Sequence, residues 1–481
     1  MTDDIFFAPL SDLNARLKKR EFSAVELAKA VGARLESLGP RYNALALPLT
    51  KNATDRAKDV DKELKRERYR GPLQGIPFGA KDLLSFAGHP TTWGAKPYAT
   101  QVFDETATVL DKLDGTGALL IGKLSMVELA GGGGYRLAGA SLTGPGLNPW
   151  DVTRWSGGSS SGPGAAVAAG LVPFALGSET SGSIITPAAF CGVTGLRPTY
   201  GLVSRHGAMA LSWTLDKIGP ICRTAEDCGL VLREIAGGDS KDPGSAGKSF
   251  YFAPQFARKV NEMKIGFAAV DREWADPEVR PALDAAMAAL RQTGATLVEV
   301  KLPDFPWGAL ISTIIGSEEA SIFESLITSG KVNDLADASQ AEGLKANLAI
   351  PATQYLKAMR IRTLVQRAFR ELFDSVDLLV APARYGIAPK VSEPLDAATP
   401  AAGPRPASPG MRSLIPAANL AGLPGISFPC GFANGLPVGL QLASRPFREN
   451  DLLAVATEYQ NRTDWHKRRP PALAPVVPSR R

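Results

Sequence analysis

GGSSSG at residues 157–162 and SETSGS at residues 178–183 are two serine–glycine turns that bracket an alanine-rich run of small residues. Such turns expose serine hydroxyls and let backbone N–H groups approach a bound carbonyl oxygen closely. Lys81 lies upstream in a glycine-flanked segment, and Lys123 is a second lysine to consider on the residues alone. A lysine that burial keeps neutral can act as a base. The stretch therefore predicts a serine hydrolase that needs neither histidine nor a metal ion.

The 481-residue chain has the composition of a globular protein, with 44% hydrophobic and 21% charged residues. It contains no apolar run long enough to span a membrane, and its acidic start lacks the pattern of a secretion signal. The four cysteines and three histidines do not have metal-site spacing, and the net charge of +6 comes from dispersed residues. These features predict a cytoplasmic protein without cofactor, metal, membrane or nucleic-acid partner.

Short runs typical of strands alternate with helical runs, a pattern that favours an α/β fold. Capping patterns at Ser23 and Thr224 predict the starts of two helices. Strands are predicted at residues 118–121, 171–176, 264–267, 296–300, 378–380 and 438–442, and helices at residues 165–169, 279–290, 361–373 and 451–460. Long loops are predicted at residues 237–254 and, rich in proline, at about 384–410. The second loop is interpreted either as part of a substrate entrance or as a surface connector.

Residues 158–162 also match the G-x-S-x-G elbow of α/β-hydrolases, which would make Ser160 the nucleophile. That mechanism requires an aspartate and a histidine downstream, and Asp377 and His466 are the candidates. However, the elbow should follow a buried strand, whereas residues 148–151 are typical of a turn. His466 also lies in a basic, proline-rich tail. The elbow is therefore the less favoured interpretation.

A series of ordered motifs resembles the amidase signature family along nearly the whole chain. They lie at residues 75–82, 148–151, 157–170, 187–192, 195–201, 215–220, 419–424 and 435–441. The resemblance implies a single domain over residues 1–481, with a helical N-terminal segment of about residues 1–70. It also implies an α/β fold with a large mixed β-sheet covered by helices on both faces.

Carried over by motif, the resemblance implies a catalytic triad in which Lys81 is the base, Ser159 the bridging serine and Ser183 the nucleophile. It also implies a cis peptide bond before Ser159. Such a triad forms an acyl-enzyme, and backbone N–H groups around the nucleophile hold the oxyanion. The expected oxyanion donors are the backbone groups of Thr180, Ser181, Gly182 and Ser183. Because the whole triad is present, a non-catalytic binding protein on the same scaffold is disfavoured.

Three departures from the family pattern bear on the substrate. Ser181 replaces a glycine, and Ile185 stands where many relatives carry an arginine. Arg412 lies near the position at which the glutamine-hydrolysing A subunit of tRNA-dependent amidotransferases would supply an acidic residue. Glutamine needs fixed charges for its ammonium and its carboxylate. The departures therefore predict an amidase for a neutral or apolar carboxamide, and the alternative is the amidotransferase subunit.

The predicted substrate range extends to aryl amides, esters and carbamates, because the same acyl-enzyme forms from each of them. The residues expected to line the pocket are Met126, Gly132, Trp155 and Ile185. The expected partner is a small-molecule amide, and a homodimer is left open.

Overall fold

Eleven strands form one mixed sheet in the computed structural model, which describes residues 3–395, 406 and 408–471. The strands are β1 Leu45–Pro48, β2 Pro77–Lys81, β3 Leu119–Leu124, β4 Leu147–Asn148, β5 Asp151–Trp155, β6 Phe174–Glu179, β7 Thr194–Arg197, β8 Lys217–Cys222, β9 Lys264–Phe267, β10 Thr296–Glu299, β11 Leu378–Pro382, β12 Gly425–Ala433 and β13 Leu436–Ser444. The order in the large sheet is β1-β3-β2-β6-β8-β7-β12-β13-β11-β9-β10, and β4 pairs with β5 separately.

The strands near the β1 end of this order carry the residues of the candidate site. Strand β2 lies between β3 and β6 and is parallel to both, so the carboxyl ends of the three strands meet at one edge of the sheet. Lys81 ends β2, and Ser178 and Glu179 end β6. Strand β8 runs antiparallel to β6 and pairs Lys217 with Glu179. Every residue of β2 is buried, as expected for a strand paired on both edges and covered by helices.

The described residues contain fifteen α-helices. They are α1 Leu10–Lys18, α2 Ala24–Leu38, α3 Thr50–Lys65, α4 Thr108–Gly115, α5 Ser161–Ala168, α6 Ile185–Cys191, α7 Ala225–Ile235, α8 Asp271–Trp274, α9 Arg280–Gln292, α10 Trp307–Ile322, α11 Glu324–Thr328, α12 Ala338–Asn347, α13 Ala352–Leu372, α14 Leu414–Ala421 and α15 Glu449–Arg462. Ser23 closes a capping box with Glu26, and Thr224 caps α7 through Asp227, as their patterns predict. None of these helices is both long and apolar enough to cross a membrane.

Helices α5 and α6 pack closely because α5 is built almost entirely from small residues. A Cβ atom on Gly164 would lie 3.0 Å from Pro187 Cβ, so a larger residue would push the helices apart. The chain enters α5 through Ser159 and Ser160, and it enters α6 through residues 180–184. Close packing of the two helices therefore brings the two serine–glycine turns side by side.

The predicted fold class, a large mixed sheet with covering helices, is confirmed. All six predicted strands are present, although β6 begins three residues later than its prediction and the predicted helix at residues 361–373 extends back to Ala352. The N-terminal 70 residues contain α1, α2 and α3, and also the edge strand β1. In the proline-rich loop predicted at 384–410, residues 396–405 and 407 lie outside the described residues.

Candidate active site

Lys81 is fully buried and lies between two serine hydroxyls. Its Nζ is 2.8 Å from Ser159 Oγ and 2.9 Å from Ser178 Oγ. Burial lowers the pKa of Lys81 to about 7, although the negative charges of Asp216 and Glu179 oppose the shift. A substantial fraction of the amine is therefore neutral near pH 7 and able to accept a proton. The peptide bond between Gly158 and Ser159 is cis.

Lys123, the second lysine considered from the sequence, has a different environment. Its Nζ lies 2.8 Å from Asp82 Oδ1 and 3.0 Å from Thr91 Oγ1, and both the lysine and the aspartate are buried. Lys123 is thus committed to an ion pair one strand away from the serine–glycine turns. The structure brings Lys81 to these turns instead.

Ser178 is a site residue that the sequence reasoning missed. Its hydroxyl is the second partner of the buried lysine, yet no motif marks it as more than a turn residue. Only the pairing of the strands could have indicated that Ser178 belongs to the site. If β2 and β6 are recognised as parallel neighbours, the residues at their carboxyl ends must lie close together.

Ser183 lies just before α6 and is 8% exposed. The backbone N–H of Ser160 donates to its carbonyl oxygen at 3.3 Å, which joins the two serine–glycine turns. Across the part of the chain that the structure describes, the backbone N–H groups of residues 180–183 donate no hydrogen bond to another residue. These donors are therefore available to a developing oxyanion at Ser183.

Glu179 holds the other end of this loop. Its Oε2 accepts hydrogen bonds from the backbone N–H groups of Ile184 and Ile185, at 2.8 and 3.0 Å. Its Oε1 accepts from Arg197 Nη1 at 2.7 Å and from Asn419 Nδ2 at 2.8 Å. Burial alone would raise the pKa of Glu179, but the Arg197 guanidinium and these hydrogen bonds hold it at about 2. The carboxylate is therefore charged and rigidly placed.

A second carboxylate fixes the start of the loop. Thr180 Oγ1 donates to Asp216 Oδ1 at 2.5 Å, and Asp216 Oδ2 accepts from the backbone N–H groups of Leu211 and Ser212 at 2.8 and 2.9 Å. Two buried carboxylates thus hold residues 180–185 from both ends. This anchoring pre-organises the backbone donors around Ser183, which is the requirement for oxyanion stabilisation.

A cavity of about 470 Å³ opens beside Ser178 and Thr180. The rest of its lining combines apolar side chains with charged and aromatic ones, among them Leu83, Met209, Leu211, Tyr200, Trp213, Arg205, Lys241 and Asp242. Arg205 and Asp242 neutralise each other across 2.8 Å. None of the four predicted pocket residues lines this cavity.

The predicted pocket residues lie elsewhere around the turns. Met126 and Ile185 are completely buried, and Trp155 is 5% exposed. Gly132 lies in a loop, and its carbonyl oxygen accepts a hydrogen bond from Gln340 Nε2 at 2.8 Å. Contact of these four residues with a substrate stays a prediction.

Trp155 belongs to an aromatic wall, which we define as Tyr135, Trp155 and Phe190. Its ring centroid lies 5.9 Å from that of Tyr135 and 6.4 Å from that of Phe190. A Cβ atom on Gly158 would be 2.7 Å from Trp155 Cζ2 and 3.0 Å from Tyr135 Oη. The wall therefore packs directly against the peptide that precedes Ser159, and only glycine fits there.

The elbow interpretation of residues 158–162 was wrong. Ser160 Oγ donates to the carbonyl oxygen of Ser178 at 3.1 Å. Asp377 is paired with Arg258, whose Nη1 lies 2.6 Å from its Oδ1. His466 is buried, and burial lowers its pKa to about 4. No hydrogen bond within the described ranges joins any two of Ser160, Asp377 and His466, so they do not form a catalytic triad.

Comparison with known proteins identifies the family. The family model described as Amidase matches residues 26–453. The A subunit of glutamyl-tRNA(Gln) amidotransferase from Gloeothece citriformis is 37% identical over 491 residues, which cover 96% of this chain and 99% of the relative. Seven further relatives with the same name are 36% or 37% identical.

Two solved structures confirm the fold. One belongs to a protein complex described in connection with the evolutionary origins of an s-triazine catabolic enzyme. It superposes with a TM-score of 0.85 at 29% identity and covers 95% of this chain and 98% of its own. The other, the A subunit of glutamyl-tRNA(Gln) amidotransferase from Thermotoga maritima, has a TM-score of 0.78 at 28% identity and 95% coverage of both chains.

The relatives correct two predictions. The prediction of a neutral or apolar carboxamide substrate was wrong, because the amidotransferase subunit matches over nearly the full length. That prediction assumed that Arg412 faces the substrate, whereas its guanidinium lies over the Trp274 ring, 4.0 Å from the centroid. The predicted partners, a free small-molecule amide without nucleic acid and an optional homodimer, were also wrong, because these relatives are named as subunits of an enzyme of glutamyl-tRNA. The chain belongs to the amidase signature family and is a hydrolase that acts on amide carbon–nitrogen bonds.

Proposed function

We propose that this chain is the glutamine-hydrolysing A subunit of a tRNA-dependent amidotransferase. The observation that carries the proposal is the 37% identity to the Gloeothece citriformis protein, which covers 96% of this chain and 99% of that relative. In this function the chain cleaves the side-chain amide of glutamine and releases ammonia. The ammonia is then used by the assembled enzyme to amidate glutamyl-tRNA.

The proposed reaction begins with a proton relay. Neutral Lys81 takes the hydroxyl proton of Ser159, whose oxygen lies 2.8 Å from Nζ. Ser159 in turn takes the hydroxyl proton of Ser183. The oxygen of Ser183 then forms a bond to the amide carbon of glutamine, and Lys81 becomes an ammonium group.

The backbone donors stabilise the tetrahedral intermediate, and Ser159 and Lys81 supply the proton for its breakdown. The unpaired backbone N–H groups of residues 180–183 bind its oxyanion, and each such donor contributes about 3 kcal/mol. The carbon–nitrogen bond breaks as the nitrogen takes a proton from Ser159, which recovers one from Lys81. Ammonia leaves, and glutamate remains as an ester on Ser183.

Water completes the cycle by the reverse relay. The water oxygen attacks the ester carbon while its proton passes through Ser159 to Lys81. The ester bond then breaks, Ser183 regains its proton and glutamate is released. The cycle requires Lys81, Ser159, Ser183, the backbone donors of residues 180–183 and one water molecule.

The proposal implies partners and a cellular location. Within such an enzyme, the chain would assemble with the protein that binds glutamyl-tRNA and would act in the cytoplasm. Its four cysteines, all buried, form no disulfide, which is compatible with a reducing compartment.

The test uses the assembled enzyme, isolated through an affinity tag on the full-length chain expressed in its source cells. We expect the complex to amidate glutamyl-tRNA(Gln) with either glutamine or ammonium chloride as the nitrogen donor. The Ser183→Ala complex should lose the glutamine-dependent reaction and keep the ammonium-dependent one, because only glutamine hydrolysis needs the nucleophile. Isolation of the chain without partner proteins and without tRNA amidation would refute the proposal.

A further inference from the structure

Arg384 is a solvent-exposed arginine two residues after the end of β11. Its guanidinium carbon lies 5.7 Å from the centroid of the Phe190 ring, one member of the aromatic wall. Among the residues that the structure describes, none forms an ion pair or a hydrogen bond with the guanidinium. The cation–π contact uses one face of the group and leaves its N–H edge free.

The guanidinium is solvent-exposed. Surrounding protein desolvates it and lowers the pKa of Arg384 from its ordinary value. Tyr135 is near enough to interact with this charge, and burial raises the pKa of Tyr135 to about 12. The phenol therefore stays neutral and does not act as a counterion.

The segment that follows Arg384 is attached to β5, the strand that leads to the bridging serine. The backbone N–H of Trp155 donates to Pro389 O at 2.9 Å, and that of Val391 donates to Thr153 O at 3.0 Å. The segment that follows Arg384 therefore runs along β5. Three residues after β5, the chain reaches the cis peptide that precedes Ser159.

The residue before Arg384 is attached to the segment after the nucleophile. Ala383 packs with Ile185, Ala189 and Ile415 in a small buried cluster. Ile415 is also close to residues 180–183, because a Cβ atom on Gly182 would lie 3.2 Å from Ile415 Cγ2. The backbone that carries Arg384 is thus held between the elements that present Ser159 and Ser183.

A guanidinium that stacks on an aromatic ring and has no partner among the described residues can bind an anion. Its planar N–H edge matches a carboxylate, with which it forms two parallel charge-assisted hydrogen bonds. We propose that Arg384 is a specificity-determining residue that binds a carboxylate group of the substrate. If the proposed glutaminase function holds, on which this assignment of the ligand rests, the group is the α-carboxylate of glutamine.

The test measures binding without turnover. The full-length Ser183→Ala protein is titrated by calorimetry with three amides: glutamine, succinamate, which carries a carboxylate but no ammonium, and butyramide, which carries neither. We expect glutamine and succinamate to bind more tightly than butyramide. Adding Arg384→Met should weaken both by at least about 30-fold, the lower end of the cost of removing one partner of a charged hydrogen-bonded pair. Butyramide binding should change less than about 2-fold.

Two further variants separate recognition from folding. Arg384→Lys keeps the charge without the planar fork and should recover part of the succinamate affinity. Arg370→Met removes an exposed arginine from the last turn of α13 and should change nothing.

The results distinguish a failure of the Arg384 assignment from a failure of the proposed amidotransferase function. Equal weakening of all three amides by Arg384→Met, or succinamate binding no tighter than butyramide binding, would overturn the assignment of Arg384. If succinamate bound in an Arg384-dependent way and glutamine did not bind at all, the assignment of Arg384 would stand and the amidotransferase proposal would be refuted.

Discussion

Lys81 and Ser178 meet because their strands lie side by side in parallel: Nζ of the lysine is 2.9 Å from Oγ of the serine at the shared edge of β2 and β6. A neutral amine has two N–H groups and one lone pair. When Lys81 donates to Ser178, its lone pair can accept the proton of Ser159 on the other side. We therefore expect Ser178 to be a positioning residue for Lys81, the proposed base.

Ser178→Ala should change both the rate and the pH profile of amide hydrolysis. The serine oxygen stabilises the ammonium form more than the amine, so its loss should lower the pKa of Lys81 and shift the acidic limb of kcat/KM to lower pH. We expect kcat to fall about 10-fold because the amine is less well oriented. Ser427→Ala, which removes a buried hydroxyl without a partner among the described residues, is the control and should leave the profile unchanged. An unshifted acidic limb in Ser178→Ala would contradict the positioning role.

The pH dependence of the wild-type enzyme should report the base itself. Lys81 is protonated below its pKa of about 7 and neutral above it, so kcat/KM should rise with pH through about 7 and then level off. Lys81→Arg should lose at least about 10³-fold, because a guanidinium does not deprotonate in this range. Ammonia release between about pH 5.5 and 9 is the measurement. A flat profile, or an active arginine variant, would remove Lys81 from the role of base.

The proposed triad follows from contiguous motifs, whereas the contact of Ser178 with Lys81 required knowledge of strand pairing. The neighbour of Ser178 in space, Lys81, is 97 residues away in sequence. A local sequence pattern cannot show that the carboxyl ends of β2 and β6 lie side by side.

The substrate prediction failed for a related reason. Sequence position placed Arg412 near the substrate but could not show that its side chain stacks on Trp274. Conversely, Arg384 lies at the start of a proline-rich segment with the sequence of a connector, and only long-range hydrogen bonds show that this segment runs along β5. The direction of a side chain depends on long-range packing that motifs do not encode.

Glu179→Gln should strongly destabilise the protein. Glu179 and Arg197 are 0% and 1% exposed and lie 2.7 Å apart. Glutamine would leave a buried guanidinium without its counterion, which typically costs about 3–5 kcal/mol. Urea unfolding measures the loss. Glu393→Gln, which breaks the exposed pair with Lys390 at 3.3 Å, should cost less than about 1 kcal/mol. Similar losses in the two variants would contradict the conclusion that a charged Glu179 anchors residues 180–185.

Glu319 should make stability depend on pH between mildly acidic and neutral conditions. Its Oε1 accepts hydrogen bonds from Gly133 N and Asn347 Nδ2, at 3.0 and 2.6 Å. Its Oε2 is buried and has no partner among the described residues. Burial raises the pKa of Glu319 to about 7 from an ordinary value of 4.5.

Because the folded state holds this proton more tightly than the unfolded state, the stabilisation is complete below about pH 4.5 and is lost as pH rises through about 7. The free energy of unfolding of the wild type should therefore fall by on the order of 2–3 kcal/mol relative to Glu319→Gln between about pH 5 and pH 8. Urea titrations of both proteins at the two pH values give this difference directly. Glu342→Gln, at an exposed position on α12, should have the same free energy of unfolding as the wild type at both pH values. If the wild type and Glu319→Gln changed in parallel instead, the carboxyl of Glu319 would have to be ionised in the folded protein throughout this range.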